Sequence, residues 1–235
     1  MSFTVEVLTP SRWSAAVADL WLDLLGRQPN LRMSLPTGAT PRPVYRELVD
    51  RDADLTGCDV FLLDEFGGLA LDSPARCDAM LRSDLLDLLN APPASVHMFD
   101  TGASDIGAMC DRYEAQIPGS GFDLAVLGLG RNGHIGLNEP GSGPETRTRM
   151  VQLAPATSRA ARAYGTSDAP TWGVTLGVGT LLESNTIWLL VTGTHKAEIL
   201  AEVVHGSIGP EVPASFLRRH ADTIVLADEA AAAGL

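Results

Sequence analysis

Three polar side chains in the middle of the chain have the types and spacing of an acid–base site. An apolar strand predicted at residues 122–127 runs into a glycine-rich turn, and Asn132, His134 and Glu139 follow within eight residues. Histidine exchanges protons near neutral pH, and a nearby carboxylate can orient it. The other histidines form no regular ligand pattern with this stretch, so an acid–base pair is favoured over a zinc site.

A second candidate for proton transfer, Asp64, follows the apolar strand predicted at residues 59–63. Apolar surroundings disfavour the charged form of a carboxyl group and raise its pKa towards the range of a general base. The alternative is an ordinary turn or helix-capping aspartate.

Three stretches could hold an anion such as a phosphate group. The first is the strand-to-helix turn at residues 37–40, which presents backbone amides and two hydroxyls at a helix start. An ordinary capped turn would suit the same sequence. Lys196 opens a predicted helix, where its charge opposes the helix dipole unless an anion lies between them. Arg159 is a further candidate, although a solvated loop arginine is the simpler interpretation. The residues of the turn are Thr37, Gly38, Ala39 and Thr40.

The glycine-rich turn from Gly128 to Gly133 matches the dinucleotide fingerprint G-x-G-x-x-G. That fingerprint requires a following helix, which Gly136 and Pro140 would interrupt. It also requires an acidic residue about twenty residues further along the chain to bind the ribose hydroxyl, and no suitable one is present there. We therefore interpret Gly128 and Gly130 as positions where the backbone approaches a ligand other than a nucleotide.

The elements that must position these residues alternate between strands and helices. Such alternation predicts one α/β domain over residues 1–235, with a mostly parallel, Rossmann-like sheet covered by helices on both faces. The candidate residues all follow strands, so they can meet at the carboxyl edge of the sheet. Residues 141–170 show no clear period and are predicted to form a lid. Strands are predicted at 3–8, 31–35, 59–63, 96–99, 122–127, 186–191 and 223–227, with a further strand and helical turn within 172–182; helices are predicted at 11–27, 41–50 with Thr40 as N-cap, 75–90, 106–116 and 193–204.

Composition restricts the class of partner. The 235-residue chain has a formal net charge of −12, so we expect neither nucleic-acid binding nor attachment to an acidic membrane surface. The three cysteines form no Cys-x-x-Cys pair, and no apolar run approaches the roughly 18 residues of a membrane span. We expect a cytoplasmic protein, and the absence of a G-x-S-x-G motif disfavours a serine hydrolase.

Together these motifs resemble the glucosamine-6-phosphate deaminase (isomerase) family, in the same order along the chain. The resemblance implies a Rossmann-like fold, no organic cofactor, and conversion of glucosamine 6-phosphate and water to fructose 6-phosphate and ammonia. It implies that Asp64 carries a proton between C2 and C1, that His134 opens the sugar ring, and that Glu139 orients His134. Thr37 to Thr40, Arg159 and Lys196 would hold the phosphate, and the backbone near Gly128 and Gly130 would face the sugar. The motifs are Leu35-Pro-Thr-Gly-Ala-Thr-Pro41, Leu63-Asp-Glu-Phe66, Gly128-Leu-Gly-Arg-Asn-Gly-His-Ile-Gly-Leu-Asn-Glu-Pro140, Thr175-Leu-Gly-Val-Gly-Thr-Leu-Leu182 and Gly193-Thr-His-Lys-Ala197.

Three departures from the family pattern bear on the site. Asn132 stands where many deaminases have an aspartate, Phe66 stands where a tyrosine is common, and the predicted lid near Arg159 is rich in alanine rather than in aromatic residues. The alternatives are a 6-phosphogluconolactonase, an enzyme for another amino-sugar phosphate such as galactosamine 6-phosphate, and a non-catalytic sugar-phosphate sensor. The pattern leaves open whether the chain is a monomer or a homo-oligomer.

Overall fold

The structure, a computed structural model, describes residues 2–165 and 169–235. Its strands are Ser2–Leu8 (β1), Arg32–Leu35 (β2), Asp59–Leu62 (β3), Asp64–Phe66 (β4), Ser95–His97 (β5), Leu124–Gly128 (β6), Arg149–Gln152 (β7), Trp172–Thr175 (β8), Thr186–Val191 (β9) and Asp222–Asp228 (β10). Its α-helices are Trp13–Arg27 (α1), Arg42–Asp50 (α2), Cys77–Asp84 (α3), Ile106–Glu114 (α4), Pro155–Ala161 (α5), Val178–Leu182 (α6) and Ala197–His205 (α7). In this part of the chain, no helix is long and apolar enough to cross a membrane.

Seven strands form a parallel sheet in the order β1-β10-β9-β6-β2-β3-β5. The helices flank this sheet, and the α/β prediction is confirmed. The apolar runs of β6 and β9 are almost wholly buried, as expected for central strands of a parallel sheet. From the β2–β6 pair, the chain continues outwards in opposite directions, to β3 and β5 on one side and to β9 and β10 on the other. Ligand sites of open α/β sheets lie beyond the carboxyl ends of the strands at such a reversal.

A second sheet of three antiparallel strands, in the order β4-β8-β7, stands beside the first. It adds two features to the predictions: a separate strand, β4, follows the strand predicted at 59–63, and the segment predicted to form a lid contains β7 and α5. Strands of three and four residues are too short to show an alternating pattern. Because β4 pairs with β8, Asp64 lies opposite Thr175 and its backbone position is fixed by the small sheet.

The starts of two helices also differ from the predictions. Helix α2 begins at Arg42, and Pro41 instead of Thr40 takes the N-cap position, without a side-chain cap hydrogen bond. The helix predicted at 75–90 is shorter, because α3 spans Cys77–Asp84 and a separate 3₁₀ turn covers Leu86–Leu88.

Candidate active site

A cavity of about 560 Å³ lies at the carboxyl edge of the parallel sheet, where β2 and β6 meet. Most of the candidate residues line it, although they come from widely separated parts of the chain. Three do not: Gly38, Glu139 and Arg159. Those in the lining are Thr37, Ala39, Thr40, Asp64, Gly128, Gly130, Asn132, His134 and Lys196.

Asp64 places a carboxylate in the cavity wall. Burial raises its pKa from the usual 3.8 to about 6, and this rise is opposed by the charge of His134 and by a hydrogen bond from the Cys77 thiol. A carboxylate with a pKa near 6 is largely ionised at neutral pH and binds a proton much more readily than an ordinary aspartate. These properties suit a general base that must take up and return one proton.

The neighbouring carboxylate, Glu65, was not singled out from the sequence, but it fixes the backbone on both sides of the site. Its buried side chain accepts hydrogen bonds from the backbone N–H groups of Phe66, Cys77 and Asp78, at 2.8 to 2.9 Å. It also lies 3.4 Å from the guanidinium of Arg76. Glu65 therefore ties the strand that begins at Asp64 to the first turn of α3.

A chain of hydrogen bonds sets the orientation of His134. The Glu139 carboxylate can only accept, so the side-chain amide of Asn132 turns its N–H towards it, at 2.7 Å. Asn132 Oδ1 then faces His134 Nδ1 at 2.6 Å. Because an amide oxygen can only accept a hydrogen bond, Nδ1 must carry a proton and donate it. The neutral imidazole then has its lone pair on Nε2. Asn132 thus selects the tautomer of His134 without itself carrying a charge.

Glu139 lies behind Asn132 and also contacts the predicted lid. Burial acts to raise its pKa, but the facing ring of His134, the Thr157 hydroxyl and the hydrogen bond from the Asn132 amide outweigh burial and lower the pKa to about 2. Its carboxylate lies 3.6 Å from His134 Nδ1 and accepts a hydrogen bond from Ala154 N at 3.2 Å. One permanently ionised carboxylate therefore links the support of His134 to the start of α5.

Gly130 has a structural role that differs from the predicted one. Its N–H donates to the carbonyl oxygen of His134 at 2.8 Å, so this N–H is already used within the turn. A Cβ at this position would lie 2.4 Å from the His134 ring. The structure thus shows Gly130 as the surface on which the imidazole rests, while a direct sugar contact of Gly128 or Gly130 stays a prediction.

The cavity lining also carries basic groups, among them two that sequence reasoning missed. The Lys196 ammonium contacts the carbonyl oxygen of Leu129, and burial, together with the charge of Arg131, lowers its pKa to about 8. Arg131 and His195 line the cavity beside it. Arg159, in contrast, is an exposed residue of α5 outside the lining, and its phosphate contact stays a prediction. The available signal for Arg131 was its place inside the glycine-rich turn.

The segment described as alanine-rich contributes an aromatic side chain after all. Tyr164 lies in the cavity with its ring centroid 6.4 Å from that of Phe66. Gly38, in the turn after β2, has a φ of +103°, and a Cβ there would lie 2.8 Å from the Tyr164 hydroxyl. Tyr164 therefore packs directly over the predicted phosphate turn, which is a reason for glycine at position 38 besides its backbone angle.

Comparisons with known proteins identify the family of the chain. The family model described as glucosamine-6-phosphate isomerases/6-phosphogluconolactonase matches residues 10–226. A glucosamine-6-phosphate deaminase of Pseudarthrobacter chlorophenolicus is 41% identical over 93% of this chain and 86% of its own length, and one of Clostridioides difficile is 40% identical over 88% and 86%.

Solved structures extend the likeness to three dimensions. A monomeric glucosamine-6-phosphate deaminase superposes with a TM-score of 0.93 at 31% identity, covering 99% of this chain and all of that one. The 6-phosphogluconolactonase of Thermotoga maritima superposes with a TM-score of 0.77 at 24% identity, covering 97% and 99%, which shows a shared fold. The chain therefore belongs to the family of glucosamine-6-phosphate isomerases and 6-phosphogluconolactonases.

Proposed function

We propose that this protein is a glucosamine-6-phosphate deaminase, which converts glucosamine 6-phosphate and water to fructose 6-phosphate and ammonia. The observation that carries the proposal is the presence of two separate acid–base groups in one cavity, Asp64 with its raised pKa and His134 with a fixed tautomer. The relatives that are about 40% identical over most of the chain are named for the same reaction.

The two groups divide the chemistry between them. His134 Nε2 accepts the proton of the anomeric hydroxyl and returns a proton to the ring oxygen, which opens the pyranose to the aldehyde. Asp64 then removes the C2 proton while the aldehyde oxygen takes a proton from the ammonium group on C2, which gives an enol with the amino group still on C2. The Asp64 carboxyl returns its proton to C1, which leaves a protonated imine at C2. Water adds to this carbon and ammonia leaves, which gives the ketose. No step requires an organic cofactor or a metal ion.

The remote phosphate positions the reacting end of the sugar. The turn from Thr37 to Thr40 and Lys196 both contribute to the cavity lining, which supports a phosphate site formed by them, with α5 and Tyr164 as its lid. Binding energy from a group that takes no part in bond making can hold C1 and C2 against Asp64.

An assay with purified protein tests the proposal directly. Incubation with glucosamine 6-phosphate should release ammonia and fructose 6-phosphate in equal amounts, and a parallel reaction with galactosamine 6-phosphate measures epimer preference. Hydrolysis of 6-phosphogluconolactone without ammonia release would assign the chain to the lactonase branch instead. Binding of phosphosugars with no turnover of any of them would support a sensor.

We further infer a cytoplasmic enzyme that works as a monomer. The buried cysteines Cys58, Cys77 and Cys110 are all unpaired, as is usual in a reducing compartment. The solved relative with which this chain superposes over its whole length is described as monomeric. Light scattering of the purified protein should give a mass near 24.8 kDa, the mass of one chain.

A further inference from the structure

We propose that Arg131, rather than Arg159, is the second cation that holds the substrate phosphate beside Lys196. This inference deepens the proposed function and rests on it, because it assigns a specific contact to the sugar phosphate in the cavity.

The topology brings Arg131 and Lys196 to the same wall. Arg131 lies in the glycine-rich turn after β6, and Lys196 lies in the turn after β9. β6 and β9 are adjacent parallel strands, with Gly128 opposite Leu190, so the two turns leave the sheet edge side by side. The Lys196 ammonium also contacts the Leu129 carbonyl oxygen, two residues before Arg131. Both side chains line the cavity.

The charges on this wall have a common sign. Burial and then the neighbouring cations lower the pKa of both Lys196 and His195, and Arg131 is among those cations in each case. Arg131 is an exposed residue of the cavity lining, and no described residue forms an ion pair or hydrogen bond with its guanidinium. A guanidinium not committed to a carboxylate can present two parallel N–H donors to phosphate oxygens. A dianion between these groups converts their mutual repulsion into attraction.

Arg159 points elsewhere because of the periodicity of α5. The cavity-lining residues of this helix form one face, two adjacent pairs at helical spacing: Ala156, Thr157, Ala160 and Ala161. A residue at position 159 lies well away from that face, since successive residues turn by about 100°. Its exposed guanidinium is accordingly outside the lining.

The test compares Arg131→Ala, Arg131→Lys and Arg159→Ala, with Arg46→Ala as the matched control, since Arg46 is an exposed arginine of α2 outside the cavity lining. Steady-state kinetics with glucosamine 6-phosphate and calorimetric titration with inorganic phosphate are measured for each. Loss of a charge-assisted hydrogen bond should raise KM roughly 10- to 100-fold in Arg131→Ala. We expect kcat to change much less, phosphate affinity to fall in parallel, and Arg131→Lys to recover part of both.

The inference is overturned if Arg131→Ala keeps the KM and phosphate affinity of the parent protein, or if the full effect appears in Arg159→Ala. A fall in kcat with KM and phosphate affinity unchanged would also contradict it, because that pattern indicates a disturbed His134 rather than a lost phosphate contact. If the parent protein releases no ammonia, the proposed function fails, yet the inorganic phosphate titrations still decide which arginine binds the anion.

Discussion

The carboxylate proposed as the base, Asp64, should make the folded protein less stable, and replacing it tests this reasoning. A folded-state pKa near 6 for Asp64, against an ordinary value of 3.8, means that folding opposes its ionisation. Each tenfold change in proton affinity corresponds to roughly 1.4 kcal/mol, so the ionised carboxylate lowers the free energy of unfolding by about 3 kcal/mol. Water in the cavity that screens the charge reduces this loss to about 2 kcal/mol.

The sign follows from proton linkage. Below pH 3.8 the carboxyl is protonated in the folded and unfolded chains, and no destabilisation arises; above about pH 6 it is ionised in both, and the destabilisation is complete. Asp64→Asn resembles the protonated group at every pH. We therefore expect this variant to be about 2–3 kcal/mol more stable than the parent at pH 7.5, a rise in Tm of roughly 4–12 °C, with the difference disappearing towards pH 4.

Urea unfolding at pH 7.5 and pH 4.5 measures the difference, and the ammonia assay should show no turnover while substrate still binds. Asp87→Asn is the control, since it removes an exposed carboxylate in the turn Leu86–Leu88 and should leave turnover and the pH trend unchanged. Equal stability of Asp64→Asn and the parent at pH 7.5 would refute the assignment of a raised pKa. Near-normal turnover would remove Asp64 from its role as base.

Three further outcomes follow from the site geometry. In a pH series, kcat/KM should fall below about pH 6, where Asp64 gains a proton, and above about pH 8, where Lys196 loses its charge; a flat profile from pH 5 to 7 would contradict the first limb. Asn132→Ala should lower kcat roughly 100-fold or more, because His134 loses the partner that fixes its tautomer, and Asn132→Asp should retain more activity than the alanine variant. Gly130→Ala should lower kcat by roughly 100-fold with little change in the circular dichroism spectrum, because the added Cβ displaces the His134 ring; unchanged kcat would show that the ring position is not critical.

The sequence predicted the parallel sheet well because its strands are apolar runs separated by amphipathic helices. For the same reason it placed Asp64, Asn132, His134 and Lys196 at one sheet edge, where the structure brings them together. Residue chemistry alone suggested an acid–base pair, a general base and an anion site, and the family resemblance added the expected step of each residue on the sugar.

Features that depend on tertiary contacts were not predictable. Strand β4 is three residues long and exists through its pairing with β8, more than a hundred residues away. The structural role of the buried Glu65 carboxylate depends on hydrogen bonds from backbone N–H groups twelve and thirteen residues further along the chain. The glycine-rich turn around Arg131 was a signal in the sequence, but the packing of α5 and the pairing of β6 with β9 were needed to place Arg131 at the cavity and Arg159 outside it.

The small antiparallel sheet has a consequence for exchanging parts between members of the family. Asp64, at the start of β4, and the strand that leads into α5 are both paired to β8, so the proposed base and the predicted lid share one backbone ladder. A transplant of residues 141–170 alone would cut that ladder along the β7–β8 pair. The unit to exchange in engineering is therefore discontinuous: it comprises Asp64–Phe66, the segment from β7 through α5, and Trp172–Thr175. These three segments must be transferred together if a foreign lid segment is to pack correctly against the proposed base.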